Sequence, residues 1–239
     1  MKVLDGGLWA LVPVKSFGRA KQRLVGLLSS EERQALARAM LEDVLSALVR
    51  APSLAGVAVA TSHVDAADMA RAAGAAVIAD PDEAGESAAV TRAARNFENM
   101  GHQGMLVIPA DVPLITPADV EAVIAAHRAA PALTLVPASA DRGTNALVCS
   151  PPCVIPFAFG EESFDRHREA AWARGIEPVI VNVEGIGCDI DRPGDLASFL
   201  RRPSATRTYR YLAGINASRR LHVTCEKAGD MLCTEQSLH

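Results

Sequence analysis

Lys15, Arg19, Lys21 and Arg23 place four cations within nine residues, with no carboxylate between the first and the last. Such a density suits a polyphosphate better than a neutral ligand, because guanidinium and ammonium groups pair closely with phosphate oxygens. Read alone, the stretch is equally a solvated basic loop. Three carboxylates form a second set. Asp111 stands in the run IPADVP, while Asp189 and Asp191 alternate as D-I-D. In extended backbone, residues two apart face the same side, so both carboxylates of that pair can address one ion. Hard oxygen donors of this kind suit Mg²⁺ or Mn²⁺, with substrate phosphates completing the shell. Each aspartate alone is as well explained as a turn or cap residue. Together, the basic and acidic sets point to a metal-assisted nucleotide site.

Strands that end beside these residues must hold them in place. Residues 9–12 are apolar and stop at Pro13, the mark of a short buried strand. That strand feeds the basic loop from its carboxyl end, where open α/β sheets bind ligands. The loop carries Gly18 but neither a G-x-G-x-x-G nor a G-x-x-x-x-G-K-[ST] pattern, so neither a dinucleotide fingerprint nor a Walker loop is supported. Ser29 and Glu32 form a capping-box signature that opens a long helix to about residue 50. Further strands are expected at 56–60, 75–79 and 105–109, and helices at 65–73 and 87–99. Thr116 and Pro117 supply an N-cap and a first-turn proline for a helix to about residue 129. This alternation implies a mostly parallel sheet with right-handed crossovers.

Beyond Pro131 the pattern changes. Short strands at 133–137 and 146–149, separated by a turn-rich DRGTN, suit an antiparallel addition. A helix from 163 to about 175, a strand at 178–183 and a short helix to 201 follow. The expected fold class is therefore α/β, a mixed and mostly parallel open sheet with helices on both faces. One domain is expected over residues 1–202. From 203 to 239 the hydrophobic period fades, and a loosely ordered appendage is expected.

The 239 residues suffice for a substantial core, and 49% apolar with 22% charged residues fits a globular protein. The formal net charge of −4 makes the basic loop a local feature and disfavours general nucleic-acid binding. Five cysteines form no C-x-x-C pair and are odd in number, which favours a reduced, cytoplasmic setting. The amino terminus is too short and interrupted for a signal peptide, and no run approaches a membrane span. His63, His102, His127 and His167 are scattered and read as surface or helix residues. The S-F-D-R-H run is not a triad signature, since triad partners meet in space rather than in sequence.

In order along residues 8–200, the runs VPVK…AKQRL, IPADVPLIT, GTNAL, FGEESFDRH and DIDRPGDL resemble the 2-phospholactate guanylyltransferase family. Its members act in biosynthesis of the deazaflavin coenzyme F-420 and have a GT-A-like, Rossmann-like nucleotidyltransferase fold. The resemblance implies transfer of GMP from GTP to a phosphorylated three-carbon acid, with release of pyrophosphate. The acceptors of such proteins are 2-phospho-L-lactate, phosphoenolpyruvate or 3-phospho-D-glycerate.

By the same resemblance, Asp111, Asp189 and Asp191 match metal-binding aspartates, and Thr144, Gly160 and Ser163 match acceptor-binding positions. Lys15, Lys21 and Arg23 are assigned to the triphosphate and count with Asp111 as catalytic, Arg19 standing outside this set. Val14, Glu86, Ser87 and Pro109 complete the expected nucleotide contacts. Where the family commonly has G-L-N-x-A, residues 85–89 read GESAA. Glu86 is then expected to accept the adjacent N1–H and N2–H₂ donors of guanine. Thr144, Ser163 and free N–H groups at the head of the helix after residue 162 are expected to hold the acid. GTP and a small phosphorylated acid are the expected partners, without nucleic acid or membrane; a homodimer is left open. Another GT-A nucleotidyltransferase, for a sugar phosphate or a molybdopterin cofactor, and a non-catalytic nucleotide binder remain the alternatives.

Overall fold

Residues 7–81, 84–139 and 142–221 are described by the computed structural model. The first strand, β1 (Leu8–Pro13), lies in the middle of a seven-stranded sheet, and its Ala10, Leu11 and Val12 have no exposed surface. A strand so apolar on both sides needs helices on both faces of the sheet. It pairs in parallel with β2 (Gly56–Thr61) on one side. On the other it pairs in parallel with a later strand, β4 (Gly104–Val107), while β3 (Ala76–Ala79) flanks β2. Next to β4 runs β6 (Thr144–Ser150), antiparallel to both its neighbours, followed by β5 (Ala132–Pro137) and the short β7 (Val179–Ile180). The spatial order is β3-β2-β1-β4-β6-β5-β7. The β5–β6 pair thus lies beside the parallel block β3-β2-β1-β4, as expected, with β7 added beyond it.

Side chains alternate strictly between the two faces. Ala10, Val12, Val57, Val59, Leu106 and Val148 pack with α1 (Ser30–Leu48), α2 (Val64–Ala72) and α4 (Pro117–Ala126). Leu11, Ala58, Ala60, Met105 and Leu147 pack on the opposite face with α3 (Glu86–Asn99) and α5 (Ser163–Trp172). The Ser29–Glu32 capping box is formed as expected, and Thr116 and Asp119 form another. α4 stops at Ala126 because His127 turns extended, its ring lying 2.9 Å from Thr134 Oγ1 and 3.0 Å from Ser150 Oγ. β7 is shorter than the expected 178–183, although Val181 N still donates to Leu135 O at 3.0 Å.

After the one-turn α6 (Glu184–Gly187) and α7 (Pro193–Leu200), the chain does not fray at residue 203. It forms α8 (Arg207–Gly214), which lies against α1, with Thr208, Leu212 and Ala217 fully buried. The expected loose appendage is thus corrected as far as residue 221, and the remainder lies outside the described residues. Asp43 of α1, 8% exposed, makes this docking specific. It accepts Arg207 N–H (2.9 Å), Thr208 N–H (2.9 Å) and Thr208 Oγ1–H (2.7 Å). Asp43→Ala would leave buried donors without an acceptor, at about 2–3 kcal/mol. A clear fall in Tm is expected; an unchanged Tm would show that α8 does not depend on this cap.

Candidate functional site

Chain order reverses across the sheet between β1 and β4, and open α/β sheets bind ligands at the carboxyl ends bordering such a switch point. A cavity of about 490 Å³ opens there. The residues following β1 (Val14, Lys15, Ser16, Phe17, Arg19 and Lys21) form one wall. Pro109, Ala110 and Asp111, following β4, form another, with Asp191 beside them and Glu86 at the first residue of α3. Ala37, Met40, Ala60 and Ala89 add an apolar wall.

The basic loop is fixed from beneath. Arg33, 8% exposed, donates from Nη1 to Leu28 O (2.8 Å) and from Nε to Ala20 O (3.4 Å). Ser16 Oγ accepts Gly18 N–H at 3.2 Å, setting the turn that follows β1. Lys21 then takes a left-handed backbone, φ 53° and ψ 44°, which a side-chain-bearing residue adopts only when its surroundings compel it. That turn sends its ammonium to Asp111 Oδ2 at 2.5 Å, with Asp191 Oδ1 3.8 Å away. Arg23 Nη1 pairs with Asp191 Oδ2 from the outside. The backbone joins the two acidic segments as well, since Ile190 N donates to Asp111 O at 3.1 Å.

Asp189 behaves differently from its partner two residues on. Asp191 lines the cavity, whereas Asp189 borders an adjacent space of about 310 Å³ with Leu114, Ser139 and Cys188. Asn145 Nδ2 donates to Asp189 Oδ1 at 3.0 Å and to Ile186 O at 3.0 Å. Burial raises the Asp189 carboxyl above its ordinary range, the Asn145 bond opposes that, and the Asp111 charge adds to it. Among the described residues, no three or more His, Cys, Asp or Glu side chains converge as a ready-made metal cage.

Thr144 and Ser163 do come together, Ser163 Oγ donating to Thr144 Oγ1 at 3.3 Å. Both are buried, at 7% and 1% exposed. Thr144 opens β6 rather than sitting in a turn, and the β5–β6 register slips by one residue there. Such a bulge re-aims side chains: Asn145 meets Ile186 and Asp189, while Thr144 meets α5. Continuing the Val107–Leu147 register puts this pair alongside the residues that lead from β4 to Asp111.

Gly160, at φ 111°, supports the turn before α5, and that backbone is open to glycine alone at little cost. The free N–H groups expected at the head of α5 are partly spent. Ser163 N donates to Gly160 O and Phe164 N to Arg142 O, each at 3.1 Å. Ser87 also departs from expectation, lying in an open groove with Thr91, Arg92 and Asn96 outside the main cavity. Its Oγ accepts Phe159 N–H at 2.9 Å. Asp82 and Glu83, which precede Glu86 in sequence, fall outside the described residues.

Of the histidines read as surface or helix residues, His102 is interior, and His167 lies on helix α5 but is fully buried. His102 is 6% exposed and stacks on Trp9 with ring centroids 4.9 Å apart, near the start of β1. His167 has no exposed surface and reaches Thr144. Its position four residues after Ser163 on a helix, hence on the same face, is the signal that would have found it.

On this sheet, a switch-point cavity in which a basic loop meets carboxylates suits a nucleotidyltransferase. Residues 8–231 match the family described as "Guanylyl transferase CofC like", and the chain belongs to that family. It is 36% identical over 200 residues to a Conexibacter woesei phosphoenolpyruvate guanylyltransferase, covering 83% of this chain and 89% of the relative. To a Colwellia psychrerythraea 3-phospho-D-glycerate guanylyltransferase it is 35% identical over 186 residues, covering 78% and 88%. In fold it is similar to a Desulfovibrio desulfuricans protein named as a nucleotide-diphospho-sugar transferase (TM-score 0.72, 17% identity, 90% of this chain and 96% of that one). It also resembles Mycobacterium tuberculosis glucosyl-3-phosphoglycerate synthase, solved with Mn²⁺, UDP and phosphoglyceric acid (TM-score 0.56, 14% identity, 84% and 81%).

Glu86 gives the cavity a titration of its own. Its carboxyl is pushed up to about 7, first by burial and then by Asp111, against the pull of Lys15 and Lys21. Between the ordinary value of 4.5 and about 7, the folded protein holds a proton that the unfolded chain has released. Stability contributed by this group therefore falls as pH rises through that window. Nucleotide-free protein is expected to lose Tm from roughly pH 5 to pH 7.5 more steeply than its Glu86→Gln variant. Parallel Tm–pH curves for the two proteins would refute the shift.

Proposed function

We propose that this enzyme transfers GMP from GTP to a phosphorylated three-carbon acid and releases pyrophosphate, in the cytoplasm and as a step of coenzyme F-420 biosynthesis. The meeting of Lys21 with Asp111 and Asp191 where two cavity walls join carries the reading. Cations that neutralise a triphosphate stand there within reach of carboxylates that hold a hard cation. The names of the relatives, guanylyltransferases of phosphoenolpyruvate and 3-phospho-D-glycerate, support the acceptor class.

The chemistry asks little covalent help from the protein. A phosphate monoester is already anionic near neutral pH, so one of its oxygens can attack the α-phosphorus without a general base. The P–O bond to the β-phosphate breaks, and the electron pair leaves with pyrophosphate. The obstacle is repulsion between anions, which Lys15, Lys21, Arg23 and the adjacent Arg19 offset at the triphosphate. The donor set fits a divalent ion such as Mg²⁺, because one or two protein carboxylates plus phosphate oxygens are its usual shell. Asp111 and Asp191 would hold it, with Asp189 beside them, and it would supply charge neutralisation at the phosphates. Lys21 fills that position between the two carboxylates in the structure, a sign that the place suits a cation. Val14 and Pro109 would flank the nucleotide, and the apolar wall of Ala37, Met40 and Ala89 suits the face of a purine. Glu86 is the proposed acceptor for guanine's paired donors, with Thr144, Gly160 and Ser163 holding the acid.

A pyrophosphate-release assay with GTP and a panel of phospho-acids tests this directly. Release should require both substrates, and Asp111→Ala or Asp191→Ala should lower kcat at least about 100-fold. Full turnover in both variants, or release from GTP without any phospho-acid, would overturn the reading.

A further inference from the structure

Behind the two hydroxyls proposed to hold the acid lies a buried imidazole that the transfer chemistry leaves unused. His167, fully buried on α5, has a partner on each ring nitrogen. Ala158 N lies 3.0 Å from Nε2, and Thr144 Oγ1 lies 3.1 Å from Nδ1. A backbone N–H can only donate, so Nε2 must be the unprotonated, accepting nitrogen. A neutral ring then carries its proton on Nδ1 and donates it to Thr144 Oγ1. The ring is neutral because burial, aided by Arg166, holds it down to about 4. Phe159 closes the other side, edge-on with centroids 4.9 Å apart.

Ser163 Oγ donates to the same Thr144 oxygen at 3.3 Å. Thr144 Oγ1 therefore receives two hydrogen bonds, which fill its accepting positions and leave its own proton to be donated elsewhere. Of the two residues Thr144 keeps the more exposed surface, 7% against 1%. Through Nε2 the same ring also fixes the backbone two residues before Gly160, the third residue of the proposed acceptor set.

We infer that His167 is a positioning residue of the phospho-acid subsite, locked as its Nδ1–H tautomer so that the Thr144 hydroxyl is presented as a donor to an anionic acceptor. The inference rests on the acceptor reading above. A hydroxyl fixed as a donor favours a phosphate or carboxylate oxygen and loses nothing to reorientation when the acid arrives.

Two substitutions separate the ring's two bonds. His167→Gln can keep an acceptor for Ala158 N–H but loses the donor to Thr144, whereas His167→Asn can keep a donor near the Nδ1 position. His167→Gln should raise KM for the phospho-acid about tenfold, with KM for GTP within about twofold of wild type. His167→Asn should bring the phospho-acid KM back to within about threefold. In a Thr144→Val background His167→Gln should add little further, because the oxygen it acts through is gone. An active enzyme in which the Gln and Asn variants share one phospho-acid KM, or in which both substrates' KM values rise together, overturns the inference alone. A wild type with no pyrophosphate release from GTP and any phospho-acid overturns the reading beneath it. Long-range ¹H–¹⁵N spectra of the imidazole need no activity or variant: an Nδ1–H ring, still neutral at about pH 5.5, is expected. An Nε2–H or doubly protonated ring overturns the inference even if neither variant folds.

Discussion

The ion pair between Lys21 and Asp111 joins segments 90 residues apart in sequence, and the geometry of the cavity depends on it. Its ammonium side chain is 9% exposed, so removing either partner would leave a charge in surroundings that solvate it poorly. The left-handed backbone at Lys21 is the local cost of reaching that position, offset by two carboxylates rather than one. A consequence follows for binding. Lys21, Asp111 and Asp191 already neutralise one another, so any ion entering there exchanges partners with an existing ion pair, whereas Lys15 and Arg19 line the cavity outside that cluster.

Legibility in the sequence followed the range of the interactions involved. The cationic run and Asp111 stand out in the sequence because each follows an apolar strand, and Asp191 because of the D-I-D run that holds it. Capping boxes could be read because their bonds span three residues. Contacts across the sheet could not. Nothing local distinguishes Asp189 from Asp191; Asn145, 44 residues earlier, decides which of them leaves the cavity. The head of α5 looks open in sequence, yet Arg142 O, from before β6, takes one of its N–H groups. α8 looked like a fading tail because few of its residues are buried, while the carboxylate that anchors it lies 164 residues away.

α1 links these regions mechanically. Near its start Arg33 holds the backbone of the basic loop, and further along Asp43 holds the start of α8. Glu32 closes the α1 capping box and also pairs with Arg220 at 2.7 Å, while Tyr211 Oη donates to Glu32 O at 3.1 Å. α8 and the residues after it thus brace the helix that supports the basic loop. Loosening α8 would reach the cavity through α1 and not through any direct contact.

The one-residue slip at the start of β6 decides which face of the sheet Thr144 and Asn145 each take. Thr144 belongs to α5 and the turn before it; Asn145 belongs to the acidic segment beyond α6. A single peptide bond is all that the two regions share at this point. Inheritance of the two can therefore proceed separately. A change of packing around Thr144 is borne by α5, while Asn145 keeps Asp189 where it is. A deletion at this slip would forfeit that independence, because restoring the ordinary alternation would turn each side chain toward the other's partners.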